Sequence, residues 1–181
     1  MNIDIMLDLE TTGVSSGCCI LSIGACSLDE KYTFYKKINL DTCYREKLKD
    51  SPGTMAWWHK QSAAARMEAF SGTEDIVSVL GEFSDWFKRI ERAEQSDAFI
   101  WGNGADFDLP ILKGAYEAVG MEEPWKPYNG RCYRTLKNLP ENKQIVADKF
   151  EGMKHSALDD AVHQTRHMRK ILRSRKQIEM F

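Results

Sequence analysis

The sequence predicts an α/β fold, and three observations along its 181 residues lead to that prediction. The first 40 residues contain three short apolar runs separated by polar turns, which is typical of an antiparallel meander. Helical periodicity follows between residues 41 and 92. From residue 98 onward a strand-like run alternates with helical segments, as in folds that pack helices against a sheet. The length suits one compact core, so we expect residues 1–181 to form a single domain.

The individual strands are predicted from short apolar runs bounded by turn residues. Runs at residues 6–13, 20–28 and 32–40 form the opening meander. A buried fourth strand is expected at residues 98–102, where an apolar run ends in glycine. The irregular stretch that follows suggests a short strand and then a short helix between residues 130 and 139.

Two of the helices are predicted from their caps and their apolar positions. Thr73 can cap the first, and an apolar stripe at helical spacing follows it. Pro110 places the start of the second near Asp108, because proline is tolerated in a helix only within its first turn. The stripe that follows Thr73 comprises Ile76, Val77, Leu80, Phe83, Phe87 and Ile90.

Two acids lie two residues apart in the first strand. Side chains on a strand alternate between its faces, so Asp8 and Glu10 project to one side while Leu7 and Leu9 project into a core. Like charges this close raise each other's pKa unless a cation lies between them, and a hard divalent ion is the usual one. An edge strand with one polar face is the plainer interpretation. The turn that begins at Thr11, however, places both acids at the lip of a sheet, where ligands tend to bind.

Further candidates stand at the starts of two helices. Asp108 follows the buried strand directly, and a helix cap is its plainer interpretation. His155 stands just before the last helix, and Asp160 lies one turn inside it. Ser156 and Asp159 have the spacing of a capping box for this helix. Histidine titrates near neutrality, so His155 can serve as a general base.

The order of these segments resembles the three motifs of the DnaQ-like, or DEDDh, 3′-to-5′ exonucleases. The motifs are D-L-E-T-T-G at residues 8–13, F-D at 107–108 and H-S-A-L-D-D-A at 155–161. Three ordered motifs are far more specific than any one of them. The segment T-M-A-W-W-H-K-Q at residues 54–61 is similar to a helix of the exonuclease VIII-like and mycobacterial exoribonuclease-like branch, which is often phage-encoded or bacterial.

This resemblance implies a fold, a reaction and a set of site residues. The fold is RNase H-like, with a mixed five-stranded sheet, its first three strands antiparallel, and helices on both faces. The reaction is hydrolysis of phosphodiester bonds from the 3′ end of single-stranded DNA or RNA, using two Mg²⁺ or Mn²⁺ ions. The implied metal ligands are Asp8, Glu10, Asp108 and Asp160, and the implied general base is His155.

Two assignments within the motifs have competitors. The family's second motif commonly places its asparagine four residues before the aspartate, whereas Asn103 is five before Asp108 and three before Asp106. We prefer Asp108 because of the Phe-Asp pair and the proline that fixes the helix start. Asp159 competes with Asp160, which has the family's H-x-x-x-x-D spacing.

Two other functions are compatible with the same motifs. A catalytically silent member of the fold could bind nucleic acid, although such modules usually lose an acid and every expected position is occupied here. A hydrolase of short oligonucleotides is also compatible, because the motifs indicate phosphodiester chemistry and not substrate length. The sequence leaves open the choice of DNA or RNA and the oligomeric state, for which a homodimer is one possibility.

Composition narrows the class of protein. With 43% hydrophobic and 29% charged residues the chain resembles an ordinary soluble protein, and no apolar run approaches the about 20 residues of a membrane span. No signal peptide is visible, so we expect a cytoplasmic protein. The net charge of −2 excludes a globally basic nucleic-acid coat. The five cysteines show no C-x-x-C spacing, so we expect reduced thiols.

Three remaining features have simpler interpretations. Trp57 and Trp58 point about 100° apart on a helix, so one is expected to face a groove, where it could stack on a base, and the other the core. His163 and His167 lie one turn apart without a metalloprotease glutamate between them, so we expect a solvated pair. The basic end of the last helix is expected to be a solvated face, with contact to phosphates as the alternative. Its residues are Arg166, Arg169, Lys170, Arg173, Arg175 and Lys176.

Overall fold

The fold is a five-stranded mixed sheet in the order β3-β2-β1-β4-β5. The computed structural model describes residues 3–178, with side chains up to residue 174. The first three strands are antiparallel, and β4 and β5 run parallel to β1 and to each other. Because β1 is the central strand, its interpretation as an edge strand is wrong. The strands are β1 (Ile3–Thr11), β2 (Ile20–Ser27), β3 (Thr33–Lys37), β4 (Ala98–Gly102) and β5 (Gly130–Cys132).

Helices cover both faces of this sheet, as predicted. Helices α4 and α5 pack on one face over the larger apolar cluster, and α6 and α7 pack on the other face over a smaller one. No helix in the described part of the chain is long and apolar enough to cross a membrane. The helices are α1 (Leu40–Arg45), α2 (Pro52–His59), α3 (Ala63–Phe70), α4 (Ile76–Glu94), α5 (Asp108–Ala118), α6 (Tyr133–Asn138) and α7 (Ala157–Ile178).

Strand β1 separates apolar and acidic side chains between its two faces. Leu7 and Leu9 are buried in the cluster beneath α4 and α5. Met6, on the opposite face, packs with Met168 of α7. Because side chains alternate along a strand, the acids at positions 8 and 10 share the face of Met6 and point toward α7. This confirms the predicted division of the strand.

The start of α7 lies directly on the sheet because of one glycine. A Cβ atom on Gly24 of β2 would lie 2.1 Å from the backbone carbon of Ala157, the first residue of α7. Any side chain at this position would therefore push the helix away from the strands. The glycine thus brings the loop before α7, together with its first turn, over the carboxylates of β1.

Several local predictions are wrong in detail. Helix α4 is capped by Asp75 rather than Thr73, because the Asp75 side chain accepts hydrogen bonds from the N–H groups of Val77 and Ser78. Val77 is 41% exposed and is not part of the buried stripe, whose other predicted members are buried. Strand β3 ends at Lys37, and residue 40 already begins α1. The five cysteines are free thiols, as expected.

Candidate active site

Three carboxylates meet where β1 and β4 end. Asp8 and Glu10 come from β1, and Asp108 is the first residue of α5. The Asp108 carboxylate accepts hydrogen bonds from the N–H of Leu9 at 3.2 Å and from the N–H of Asn103 at 2.7 Å. These bonds attach the start of α5 to the central strand, and Asp108 is only 1% exposed.

The alternative residue of the second motif lies elsewhere. Asp106 is exposed on the turn before α5. The helix cap is formed at Phe107 without a side-chain hydrogen bond, so capping does not explain Asp108. The structure therefore brings Asp108, and not Asp106, together with the acids of β1.

The fourth carboxylate, Asp160, comes from the first turn of α7. Its Oδ2 accepts a hydrogen bond from the N–H of His155 at 2.9 Å, so it also shapes the loop before the helix. The neighbouring Asp159 accepts from the N–H of Met153 at 2.8 Å, outside this cluster. The predicted capping box is wrong, because Asp159 bonds Met153 instead of the N–H of Ser156.

His155 lies between the acids and two tryptophan rings. Its backbone has φ of +65°, a left-handed conformation that the bond to Asp160 helps to hold. The imidazole is edge-on to the rings of Trp57 and Trp58, with centroids 5.1 and 5.8 Å away. Its Nδ1 lies 3.9 Å from Oε1 of Glu10, and the side chain is 32% exposed. The histidine thus reaches both the carboxylates and solvent.

The two tryptophans divide their roles as predicted. Trp58 is buried and donates from Nε1 to the carbonyl of Thr11 at 2.8 Å, which fixes α2 to the end of β1. Trp57 is 42% exposed next to His155. An exposed indole face beside the cluster is available to stack on a nucleobase.

The carboxylates strongly perturb one another. Burial and the charges of Asp160 and Asp108 raise the pKa of Glu10 to about 8. Burial, followed by the charges of Asp108, Glu10 and Asp160, raises the pKa of Asp8 well above its ordinary value. Burial raises the pKa of Asp108 to about 6, although the N–H groups of Asn103 and Leu9 favour its charged form. Burial also raises the pKa of Asp160. The four acids therefore cannot all be ionised at neutral pH without a compensating positive charge.

The cluster has the donor atoms that suit a divalent cation. Within the described side chains, no lysine or arginine forms an ion pair with any of the four acids. Ligand atoms of Glu10, His155 and Asp160 lie within 4.8 Å of one another, close enough to hold one ion. Carboxylate oxygens are the ligands that Mg²⁺ and Mn²⁺ prefer. The residues present therefore fit bound divalent cations.

Sequence reasoning missed one residue at this site, Gln164. Its Nε2 donates to Oδ1 of Asp8 at 2.6 Å, while its Oε1 is buried and has no partner among the described groups. Gln164 lies one helical turn after Asp160 on the same face of α7, and this i, i+4 spacing is the signal that could have identified it. The amide orients the Asp8 carboxylate toward the other acids.

Two further predictions concern α7 beyond the site: the solvated histidine pair and the solvated basic face. The prediction of a solvated pair is wrong for His167. This side chain is buried and is hydrogen-bonded to the hydroxyl of Tyr133 and to the carbonyl of Ile145, both at 2.6 Å. The basic face largely pairs with acids of the fold: Arg166 and Arg169 contact Glu30, and Lys170 contacts Asp148. The side chains of Arg175 and Lys176 lie outside the described residues.

Comparisons with known proteins concern the family and the fold of this chain. The family model of the 3′-5′ exoribonuclease Rv2179c-like domain matches residues 3–172. No curated protein sequence matches the chain. The solved nuclease domain of 3′hExo, a DEDDh family member bound to rAMP, is similar with a TM-score of 0.65 at 12% identity, over 96% of this chain and 92% of that one.

Two further solved structures have the same fold. A 3′-exonuclease described in the 3′-end specific recognition of a histone mRNA stem-loop has a TM-score of 0.64, and a full-length 3′-exonuclease has one of 0.62. Each is 12% identical and aligns over 96% of this chain and 82% of its own. These likenesses confirm the predicted RNase H-like fold.

Proposed function

This chain belongs to the 3′-5′ exoribonuclease Rv2179c-like domain family and is a 3′-to-5′ exonuclease, and on that premise we propose that it shortens single-stranded RNA by a two-metal mechanism with a histidine base. The observation that carries the proposal is the group of four mutually repelling acids beside His155, of which Glu10 and Asp108 are buried. The family implies divalent metal ions, and we propose two ions of Mg²⁺ or Mn²⁺. We also propose that the chain lies in the exonuclease VIII-like and mycobacterial exoribonuclease-like branch of these exonucleases.

The four carboxylates have the role of holding the ions. Asp8, Glu10, Asp108 and Asp160 supply the negative charge and the oxygen atoms that hold them. When bound, two such ions polarise the phosphodiester, assist formation of the attacking nucleophile and stabilise the leaving 3′-oxygen. The pKa values raised by burial and mutual repulsion support this role, because the repulsion is relieved when cations bind.

His155 has the role of general base. The imidazole takes a proton from the attacking water, and its partial exposure allows the proton to pass on to solvent. Edge contacts with two indole rings limit the orientations of the imidazole. General-base catalysis typically contributes a factor of about 10² to 10⁴ in rate.

Trp57 has the role of a stacking surface for a base near the 3′ end. Its exposed indole lies beside His155, so a stacked base lies next to the reacting phosphate. Stacking accepts any base, and typically contributes about 1–3 kcal/mol per base. We favour RNA because the matching family is described as exoribonucleases. We also propose that residues 1–181 form one exonuclease domain that acts in the cytoplasm.

The proposal is tested with end-labelled substrates. Purified protein is given 5′-labelled single-stranded RNA, DNA and duplexes, with Mg²⁺, Mn²⁺ or EDTA, and the product ladders are read over time. We expect progressive shortening of single-stranded RNA from its 3′ end, and no shortening in EDTA. A dinucleotide substrate tests the short-oligonucleotide alternative, which predicts faster cleavage of the dinucleotide than of a long strand.

A pair of variants tests the assignment of the site. Asp8→Asn removes a charge from the cluster, and Asp106→Asn removes one from the exposed turn nearby. We expect the first to abolish cleavage and the second to retain it. Nucleic-acid binding without cleavage by the wild-type protein in every metal would support the silent binding module instead.

A further inference from the structure

Helix α6 places two cations at the edge of the sheet that carries the acids. Strands β4 and β5 are parallel, and Gly102 pairs with Cys132 at their ends. The turn after β4 and the start of α6 are therefore neighbours. Arg134 and Lys137 lie three residues apart on α6, a spacing that puts both on one side of a helix.

Both side chains contact the turn that holds Asp108. The Lys137 Nζ donates to Oδ1 of Asn103 at 3.3 Å, and the N–H of Asn103 in turn donates to Asp108. The Arg134 guanidinium lies over Gly104, where a Cβ atom would be 3.4 Å from its Cζ. Its charge also favours ionised Asp108. The two cations therefore stand immediately beside the carboxylate cluster without neutralising it.

Neither cation has an acidic partner among the described residues. Across the described side chains, no carboxylate lies within ion-pair distance of Arg134 or Lys137, whereas Arg166 and Lys170 of α7 are paired. Arg134 is exposed and forms no hydrogen bond with any described residue. Burial and the adjacent Arg134 charge lower the pKa of Lys137. The Lys137 ammonium also lies over the Tyr133 ring, 4.8 Å from its centroid, which does not neutralise its charge. Two like charges held together without an acidic partner among the described residues are an arrangement that an anion stabilises.

We propose that Arg134 and Lys137 bind a phosphate of the substrate strand on the 5′ side of the bond being cleaved. This inference rests on the proposed function, in which the acids hold the reacting phosphate. An exonuclease cleaves the last linkage of a strand, so the remaining phosphates of the substrate lie on the 5′ side, and Arg134 and Lys137 stand beside the acids where such a phosphate can reach them. A guanidinium contacts two phosphate oxygens at once, and the ammonium adds a point charge. The subsite recognises the charge of the phosphate backbone and not the base, so it binds a strand of any sequence.

The first test measures the salt dependence of catalysis. Steady-state kinetics on a single-stranded RNA are compared over a KCl series for Arg134→Gln, Lys137→Gln, the double variant and Arg134→Lys. The control is Arg89→Gln, which removes the same charge from an exposed site on α4, across the sheet. Each phosphate contact on a single strand contributes about 0.7 to the slope of log affinity against log salt.

The expected result separates binding from chemistry. We expect the double variant to raise KM with little change in kcat and to lower the salt slope by about 0.7, because it removes one phosphate contact that is common to substrate and transition state. Each single Gln variant gives part of both effects. Arg134→Lys keeps most of the slope, and Arg89→Gln behaves as wild type. Unchanged KM and slope in the double variant would overturn the inference.

The second test removes the charge from the substrate instead. RNA strands carry one neutral methylphosphonate at the first, second or third linkage upstream of the scissile bond. We expect one of these linkages to raise KM for the wild type, and to have no further effect in the double variant, since the contact is already lost there. Independent effects of enzyme and substrate changes at all three linkages would show that the cations contact no upstream phosphate.

The tests distinguish failure of this inference from failure of the proposed function. Fluorescence anisotropy of labelled RNA in EDTA measures binding without cleavage. If the wild type binds RNA with an Arg134-dependent salt slope but never cleaves it, the proposed function fails and the subsite stands. If the wild type cleaves RNA and the double variant equals it in KM and slope, the proposed function stands and the subsite fails. A folded wild type that neither binds nor cleaves RNA overturns both.

Discussion

Replacing Glu10 by glutamine is expected to stabilise the metal-free protein. Burial and the charges of Asp160 and Asp108 raise the pKa of Glu10 from 4.5 to about 8. The folded state therefore binds the Glu10 proton more tightly than the unfolded state does. The stability that this proton provides is complete below pH 4.5 and is lost as the pH rises toward about 8. Glutamine is neutral at every pH and avoids this loss.

The size of the effect follows from the same pKa. At about 1.36 kcal/mol per pH unit, a pKa raised from 4.5 to about 8 corresponds to about 3 kcal/mol at pH 7. We expect a measured difference of about 1 to 3 kcal/mol, because the neighbouring carboxyls share the proton release. For a chain of this length, each kcal/mol shifts the melting temperature by about 2 to 4 °C.

The assay measures the free energy of unfolding by urea titration in EDTA, at several pH values between 4 and 8. Glu10→Gln is compared with wild type and with Asp106→Asn, whose carboxylate is exposed. We expect the advantage of Glu10→Gln to grow with pH and to disappear near pH 4.5, while Asp106→Asn follows wild type. With Mg²⁺ in excess the order reverses, because the wild type gains more from bound ions. A Glu10→Gln protein less stable than wild type at pH 7 in EDTA would refute the repulsion on which the metal site is argued.

Three further predictions concern the other residues of the site. Asp108→Asn is expected to reduce the rate at least about a hundredfold, and Asp106→Asn much less, because only the first removes charge from the cluster. The two variants are compared by their single-turnover rates in Mg²⁺. A larger loss for Asp106→Asn than for Asp108→Asn would show that the acid of the second motif is Asp106. For His155→Ala we expect a loss of about 10² to 10⁴ in rate and a flattened rise of rate with pH, while calorimetry shows retained metal affinity. An unchanged pH slope would make the histidine structural. For Gln164→Ala we expect metal affinity to fall by about tenfold or more, because Asp8 loses its orienting hydrogen bond, and equal calorimetric titrations of variant and wild type would contradict this.

The alternation of Asp8 and Glu10 with two leucines needed no tertiary information. Strand geometry alone puts the acids on one face, and the sheet then buries the leucines on the other. Likewise, Pro110 alone placed the start of α5 near Asp108, where the structure has it, because a ring without an N–H fits only the first helical turn. Local rules also predicted that Trp57 and Trp58 differ in burial, and the structure shows that Trp58 is the buried one.

Local rules failed where the fold gives a side chain a hydrogen-bond partner that its spacing in the sequence does not suggest. The spacing of Ser156 and Asp159 fits a capping box, but the loop before α7 brings the N–H of Met153 to Asp159 instead. His167 is one turn from a second histidine on α7, yet α6 and residue 145 cover it, so it is a buried hydrogen-bonding residue. Such outcomes depend on which segments fold over a helix, which periodicity does not describe.

The amino-acid sequence by itself indicated the exonuclease class, through the resemblance of its three ordered motifs to a known family, and it placed the candidate acids on their strand and helices, because residue type and spacing along one segment are local properties. Only the tertiary structure decided what surrounds those acids. Gln164 reaches Asp8 across 156 positions of sequence, and Arg134 approaches the turn at Gly104 because two parallel strands end side by side. Contacts of this kind arise from sheet order and helix packing, so no pattern within a single segment predicts them.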